Sequence, residues 1–150
     1  MKPAIPGLAI RETCLADLNS IYRLGLNEPV FISMRRWNAS QLAEIFSNSA
    51  LISFTVVRKK EILGFITGKI IDQSATVEWI MVNEKFRRRG IGRFLLDKFL
   101  NTAKIKGVSF FIVASFPVNS ETEYFFSKSG IADKKNFTGL SCKIYNESSE

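Results

Sequence analysis

Val77-Glu78-Trp79-Ile80-Met81-Val82-Asn83-Glu84-Lys85-Phe86-Arg87-Arg88-Arg89-Gly90-Ile91-Gly92-Arg93-Phe94-Leu95-Leu96-Asp97-Lys98-Phe99 is the segment around which the chain is organised. Ala75 to Val82 is apolar and rich in β-branched and aromatic residues, which suits a buried strand. Ile91, Leu95, Phe99 and Ala103 recur at helical spacing. A strand therefore runs into a helix through Arg87 to Arg93. Two glycines in this turn let the backbone come close to a ligand, and the first amides of the helix have no intrahelical partner. The arginines and the positive end of the helix dipole add to a bend suited to an anion.

Among glycine-rich turns this one is particular. A dinucleotide fingerprint needs a third glycine where the chain has Leu95, and the Gly-Lys-Ser/Thr of a P-loop does not occur. What stands is Arg87-x-x-Gly90-x-Gly92 after a strand ending Ile80-Met81-Val82. It resembles the signature Q/R-x-x-G-x-G/A of the GNAT superfamily of N-acetyltransferases. In that family the signature joins the fourth strand to the third helix and holds the pyrophosphate of acetyl-coenzyme A.

At 150 residues, 46% of them hydrophobic, the chain suits one packed domain over 1–150, with 146–150 a frayed tail. Its longest apolar run, Val108 to Phe116, is broken by two serines and falls short of the roughly 20 residues of a membrane helix. The N-terminus lacks the layout of a signal peptide, so a cytoplasmic location and no membrane partner are expected. Cys14 and Cys142 are too few for a disulfide framework, and with no histidine the usual zinc ligand sets and histidine triads are excluded. No metal is expected. A net charge of +7 admits nucleic acid, an anionic surface or a charged small molecule, but only the arginines around Gly90 coincide with a backbone anion site.

The remaining elements follow in order. Leu8 to Arg11 reads as a first strand, then Thr13 as N-cap of a helix over about Leu15 to Leu26, with Leu15, Leu18, Ile21, Tyr22 and Leu26 on its apolar face. Met34 and Trp37 follow the break at Pro29 and read as core ahead of the alternative, lining a substrate opening. Asn38 or Ser40 caps a second helix with Leu42, Ile45 and Phe46 inward. Leu51–Val57 and Ile62–Ile71 read as a hairpin, in which Gly64 and Gly68 suggest a bulge or a close backbone approach. The third helix ends at Gly107. Val108–Ala114 is a buried strand, Asn119 or Ser120 caps a fourth helix stopped by Gly130, and Leu140–Tyr145 is a late strand. The reading is an α/β sandwich: a mixed, mostly antiparallel sheet flanked by about four helices.

That order resembles the GNAT fold over nearly the whole chain. A second family motif, Asn-x-x-Ala-x-x-Leu/Phe-Tyr-x-Lys-x-Gly-Phe, is matched by Asn119, Phe125, Lys128 and Gly130, while Thr122, Phe126 and Ile131 depart from it. The resemblance implies that the backbone of Ile80, Met81 and Val82 pairs with the pantetheine arm of acetyl-coenzyme A as co-substrate. It implies that amides from Arg88 through Gly90, Ile91 and Gly92 to Arg93 hold the pyrophosphate, with Arg88 and Arg89 adding attraction and Arg87 bracing the turn. Asn119 would hydrogen-bond the pantetheine, with Phe126 beside it. Glu78, on the central strand, is the candidate general base, set against the reading of a paired strand residue. The general acid is unassigned: Phe126 stands where the family commonly has tyrosine, and Tyr124 turns to another face of the helix. Water, Ser127 and the nucleophile's own proton are the substitutes. The expected reaction is transfer of acetyl to a primary amine of a small molecule or peptide, by a monomer or homodimer. A non-catalytic acyl-coenzyme A sensor and, behind it, a basic nucleic-acid-binding domain are the alternatives.

Overall fold

The computed structural model describes residues 3–26, 39–113, 125, 128 and 140–143. Six strands, β1 (Leu8–Glu12), β2 (Leu51–Arg58), β3 (Glu61–Ile71), β4 (Ser74–Val82), β5 (Phe110–Val113) and β6 (Leu140–Lys143), lie in the sheet in chain order. Every neighbouring pair is antiparallel except β4 with β5. Two-residue hairpins join β2 to β3 and β3 to β4, whereas the parallel step needs a crossover, which the long helix supplies. The helices are α1 (Leu18–Leu26), α2 (Ala39–Phe46) and α3 (Ile91–Ile105). Phe125 and Lys128, in the stretch read as a fourth helix, are each helical. Among the described residues no helix is long and apolar enough to cross a membrane.

The sheet is covered on both sides. On one, Ile91, Leu95, Leu96, Phe99 and Ala103 of α3 pack on Phe54, Val56, Ile66, Val77 and Phe111. Phe99 meets Phe111 edge to face, centroids 5.9 Å apart, and burying side chains of this size stabilises the fold by about 1.5–3 kcal/mol each. On the other side Ile21 of α1 and Leu42 of α2 join Phe65, Trp79 and Met81.

Several boundaries differ from the sequence reading. The first helix opens as a 3-10 turn, Leu15–Asp17, whose cap is Cys14 rather than Thr13. Asp17 accepts from the Cys14 amide at 2.8 Å, and the Thr13 hydroxyl lies instead 2.6 Å from that of Thr55. Because a 3-10 turn advances about 120° per residue, Leu15 leaves the apolar face and is 74% exposed. Leu26, at the far end, is 43% exposed. Ser40 lies inside α2, and β5 starts at Phe110 because the amides of Ser109 and Phe110 both turn to the carbonyl of Gln73. Met34, Trp37 and Asn38 lie outside the described residues.

Candidate active site

The site begins with an irregularity in the central strands. Thr67 pairs with Trp79 and Gly68 with Val77, so Glu78 has no opposite number on β3 and forms a β-bulge. Gly68 makes this possible: a methyl group placed there would lie 2.1 Å from the carbonyl oxygen of Thr76. On its other edge β4 pairs with β5 only from Ser74 to Val77. Among the described residues no strand takes the backbone of Glu78 to Val82 on that side. Among the described residues Ile80, Met81 and Val82 thus have a strand neighbour on one side only, and they lead into the basic bend.

The bend is held from beneath. The Asn83 side chain accepts from the Lys85 amide at 3.0 Å, and the Asn83 amide donates to the Leu63 carbonyl at 2.7 Å. Nε of Arg87 donates to the carbonyl of Val82 at 3.0 Å, which ties the bend to the end of β4. Arg88 and Gly90 both take left-handed conformations, φ 63° and 89°; glycine is at ease there and arginine is not. Arg88, Arg89 and Gly90 are exposed. The Phe86 ring has the guanidinium of Arg58 4.7 Å from its centroid and that of Arg89 at 5.7 Å, contacts of the cation–π kind.

At the start of α3 the cap is Gly90, which has no side chain to offer, and the first turn contains no acidic residue. Ile91 is buried beneath this turn, while Arg93 turns away to Asp97, Nε to Oδ1 3.0 Å. The leading amides of the helix thus carry the positive end of the dipole with no acidic residue in the first turn set against it. The two glycines differ in use. Among the described residues a methyl on Gly90 would meet nothing nearer than Pro3 at 3.9 Å, whereas one on Gly92 would lie 3.1 Å from Cε1 of Phe125. Gly92 thus makes room for a ring that belongs to the second sequence motif, and the two motifs touch.

Glu78 points to a partner that the sequence reading missed. Its Oε1 lies 3.2 Å from Nζ of Lys69, with the two side chains 19% and 28% exposed. Lys69 pairs with Thr76 in the sheet, so Glu78, two residues farther along β4, is its diagonal neighbour. The cross-sheet hydroxyls were missed as well: Ser53, Thr55 and Thr67 are buried on neighbouring strands, and Ser53 donates to Thr13 at 2.7 Å. Polar residues inside apolar strands were the available signal. Asn119, Tyr124, Phe126 and Ser127 lie outside the described residues.

A comparison with curated protein sequences gives no match. Solved structures share the fold. The PaiA N-acetyltransferase from Thermoplasma acidophilum, in complex with coenzyme A, gives a TM-score of 0.76 at 18% identity, over 91% of this chain and 99% of its own. The ribosomal-protein-S18-alanine N-acetyltransferase from Escherichia coli gives 0.76 at 15%, over 95% and 99%. An acetyltransferase of the GNAT family from Staphylococcus aureus gives 0.77 at 16%, over 92% and 99%. Residues 15–131, which span both motifs and all three described helices, match the acetyltransferase (GNAT) family, and the chain belongs to that family.

Proposed function

We infer that the protein transfers acetyl from acetyl-coenzyme A, the acyl donor of its family, to a primary amine, with both bound at once. The observation that carries this reading is the continuity of the β4 edge from Glu78 to Val82 with a helix start that has neither a capping side chain nor an acidic first turn. Strand amides and helix amides then face the two chemically different parts of one ligand, an amide-bearing arm and a diphosphate. Among the described residues the position a Cβ would take on Gly90 is open, which fits the close approach of a phosphate.

Each group has a task. Amides from Arg88 to Arg93 hold the diphosphate, at about 1.5–3 kcal/mol per charged hydrogen bond, so three or four supply the roughly 8 kcal/mol of micromolar affinity. Arg88 and Arg89 add attraction, and Arg87 keeps the bend fixed to β4. The backbone of Ile80, Met81 and Val82 aligns the pantetheine arm, and one amide stands where negative charge grows on the thioester oxygen. Glu78 takes a proton from the incoming ammonium, directly or through a water. Asn119 hydrogen-bonds the arm. Phe126 has no proton to give, so the departing sulfur takes its proton from water or from the amine itself.

The first test is Gly90→Asp. It sets a carboxylate against the diphosphate and a side chain in a left-handed conformation, and calorimetric binding of coenzyme A should be lost while the fold, followed by circular dichroism, persists. Unchanged affinity would remove the bend from the site. Phe126 at the family's tyrosine position supports the sensor reading instead, which predicts coenzyme binding without release of free thiol across a panel of amines.

A further inference from the structure

Lys69 sets a primary ammonium on the carboxylate of Glu78, Nζ to Oε1 3.2 Å. In the reading above, an acceptor amine must reach this same carboxylate. Glu78 is at once the bulged residue and, among the described residues, the first of β4 beyond its pairing with β5. Neighbouring strands lie about 4.8 Å apart, so a side chain that starts on β3 and ends at Glu78 has already crossed most of the distance to the open edge.

We propose that Lys69 is an internal acetyl acceptor: with acetyl-coenzyme A bound and no external amine in place, the enzyme acetylates its own Lys69 Nζ. This rests on the assignment of the β4 edge and the bend to the coenzyme and of Glu78 to the base. Glu78 takes a proton from the ammonium, and the neutral nitrogen attacks the thioester carbonyl carbon. A C–N bond forms, the C–S bond breaks, and the thiolate takes a proton. The products are an amide at Nζ, coenzyme A as free thiol and one proton passed to solvent. The modified lysine has no charge, so the ion pair with Glu78 is gone and the carboxylate is open to an external ammonium. The reaction stops at one acetyl per chain.

Uncatalysed acetylation follows exposure and would favour Lys59, Lys60, Lys85 and Lys104, all exposed, over the mostly buried Lys69. That difference makes the test. The full chain is incubated with acetyl-coenzyme A and no added amine, site occupancy is followed by peptide mass spectrometry, and coenzyme A binding is measured by calorimetry in parallel. Lys69 should be labelled ahead of Lys59 and Lys60, at a rate per molecule independent of protein concentration. Glu78→Gln should slow that labelling by about 100-fold and leave the exposed lysines unchanged. Lys69→Arg, which keeps a cation on Glu78, should abolish the release of one thiol per chain that precedes added amine. If coenzyme A binds and an external amine is acetylated while Lys69 stays unmodified, or is labelled no faster than the exposed lysines, the internal acceptor is refuted and the enzyme assignment stands. If coenzyme A does not bind, both fall together.

Discussion

Gly68→Ala opposes two effects whose difference the structure fixes. Alanine in place of a strand glycine ordinarily stabilises by about 0.4–1 kcal/mol, because the unfolded chain loses freedom. Here the new methyl would lie 2.1 Å from the Thr76 carbonyl oxygen and 2.7 and 2.9 Å from Cζ and Cε2 of Phe99. Close carbon–oxygen contacts sit at about 3.3–3.6 Å, so β3 and β4 must part by roughly 1 Å. Phe99 is fully buried against Phe111 and has nowhere to go. Overpacking costs about 1–3 kcal/mol, and with backbone as the obstacle the upper end applies. The net loss is about 2 kcal/mol, which for a chain of this length is a drop of about 4–8 °C in Tm, measured by circular dichroism. The parting falls beside the bulge, so turnover should fall as well, since a misplacement of about 1 Å can cost about 100-fold. Adding Phe99→Leu relieves the ring contacts but not the carbonyl and should restore nothing. A Tm equal to or above that of the parent would refute the close approach and with it the account of why Glu78 is bulged.

Glu78→Gln should lower kcat by about 100-fold with coenzyme A affinity unchanged; undiminished turnover would remove Glu78 from proton transfer. Asp17 is held below the ordinary carboxylate range by its hydrogen bonds from Arg11, at 2.7 and 2.9 Å, against the opposing cost of burial. Its contribution is therefore complete above about pH 4, the unfolded value, and is lost as pH falls through the lower folded one. Asp17→Asn should cost about 1.5–3 kcal/mol at pH 7 and flatten the acid limb of a urea-denaturation series, whereas parallel pH profiles would place the stability elsewhere. Arg87→Met removes the hydrogen bond to the Val82 carbonyl and should lower stability by about 1 kcal/mol in the same urea series while weakening coenzyme A binding by calorimetry; full affinity would mean that the bend holds its shape without the brace.

Patterns that depend on neighbours in sequence were legible. The helical spacing of Ile91, Leu95, Phe99 and Ala103 does place all four in the core, and Gly107 does end α3 with φ 85°. Mixed sheet and element order followed from such local signals. What depends on pairing between strands was not legible. The Lys69–Glu78 pair requires knowing the register of β3 on β4, in which Lys69 lies opposite Thr76 and Glu78 follows two residues on. A slip of one residue exchanges the two faces, so no reading of either strand alone could have joined those side chains. Leu15 was misread for a related reason: helical spacing assumes 3.6 residues per turn, and the chain enters α1 through a tighter turn. The contact of Gly92 with Phe125 joins residues far apart in sequence, and each motif, read separately, says nothing of the other.

The bulge also explains a pattern in β4 that simple alternation hides. Ala75, Val77, Trp79 and Met81 are all buried, as a regular strand would have it, yet the first two belong to the α3 core and the last two to the core under α1 and α2. The change of side falls at Glu78. Burial on both faces lets the strand reverse its sides without exposing an apolar residue, and the reversal turns Ile80 and Val82 toward α3, where Val82 lies near Gly92. One inserted residue therefore does two things at once. It sets a carboxylate between the residues of the two cores, and it brings the end of β4 into line with the start of α3. A strand without it would carry the same apolar residues but would set Trp79 and Met81 against α3, leaving the basic bend without its present approach from the strand edge.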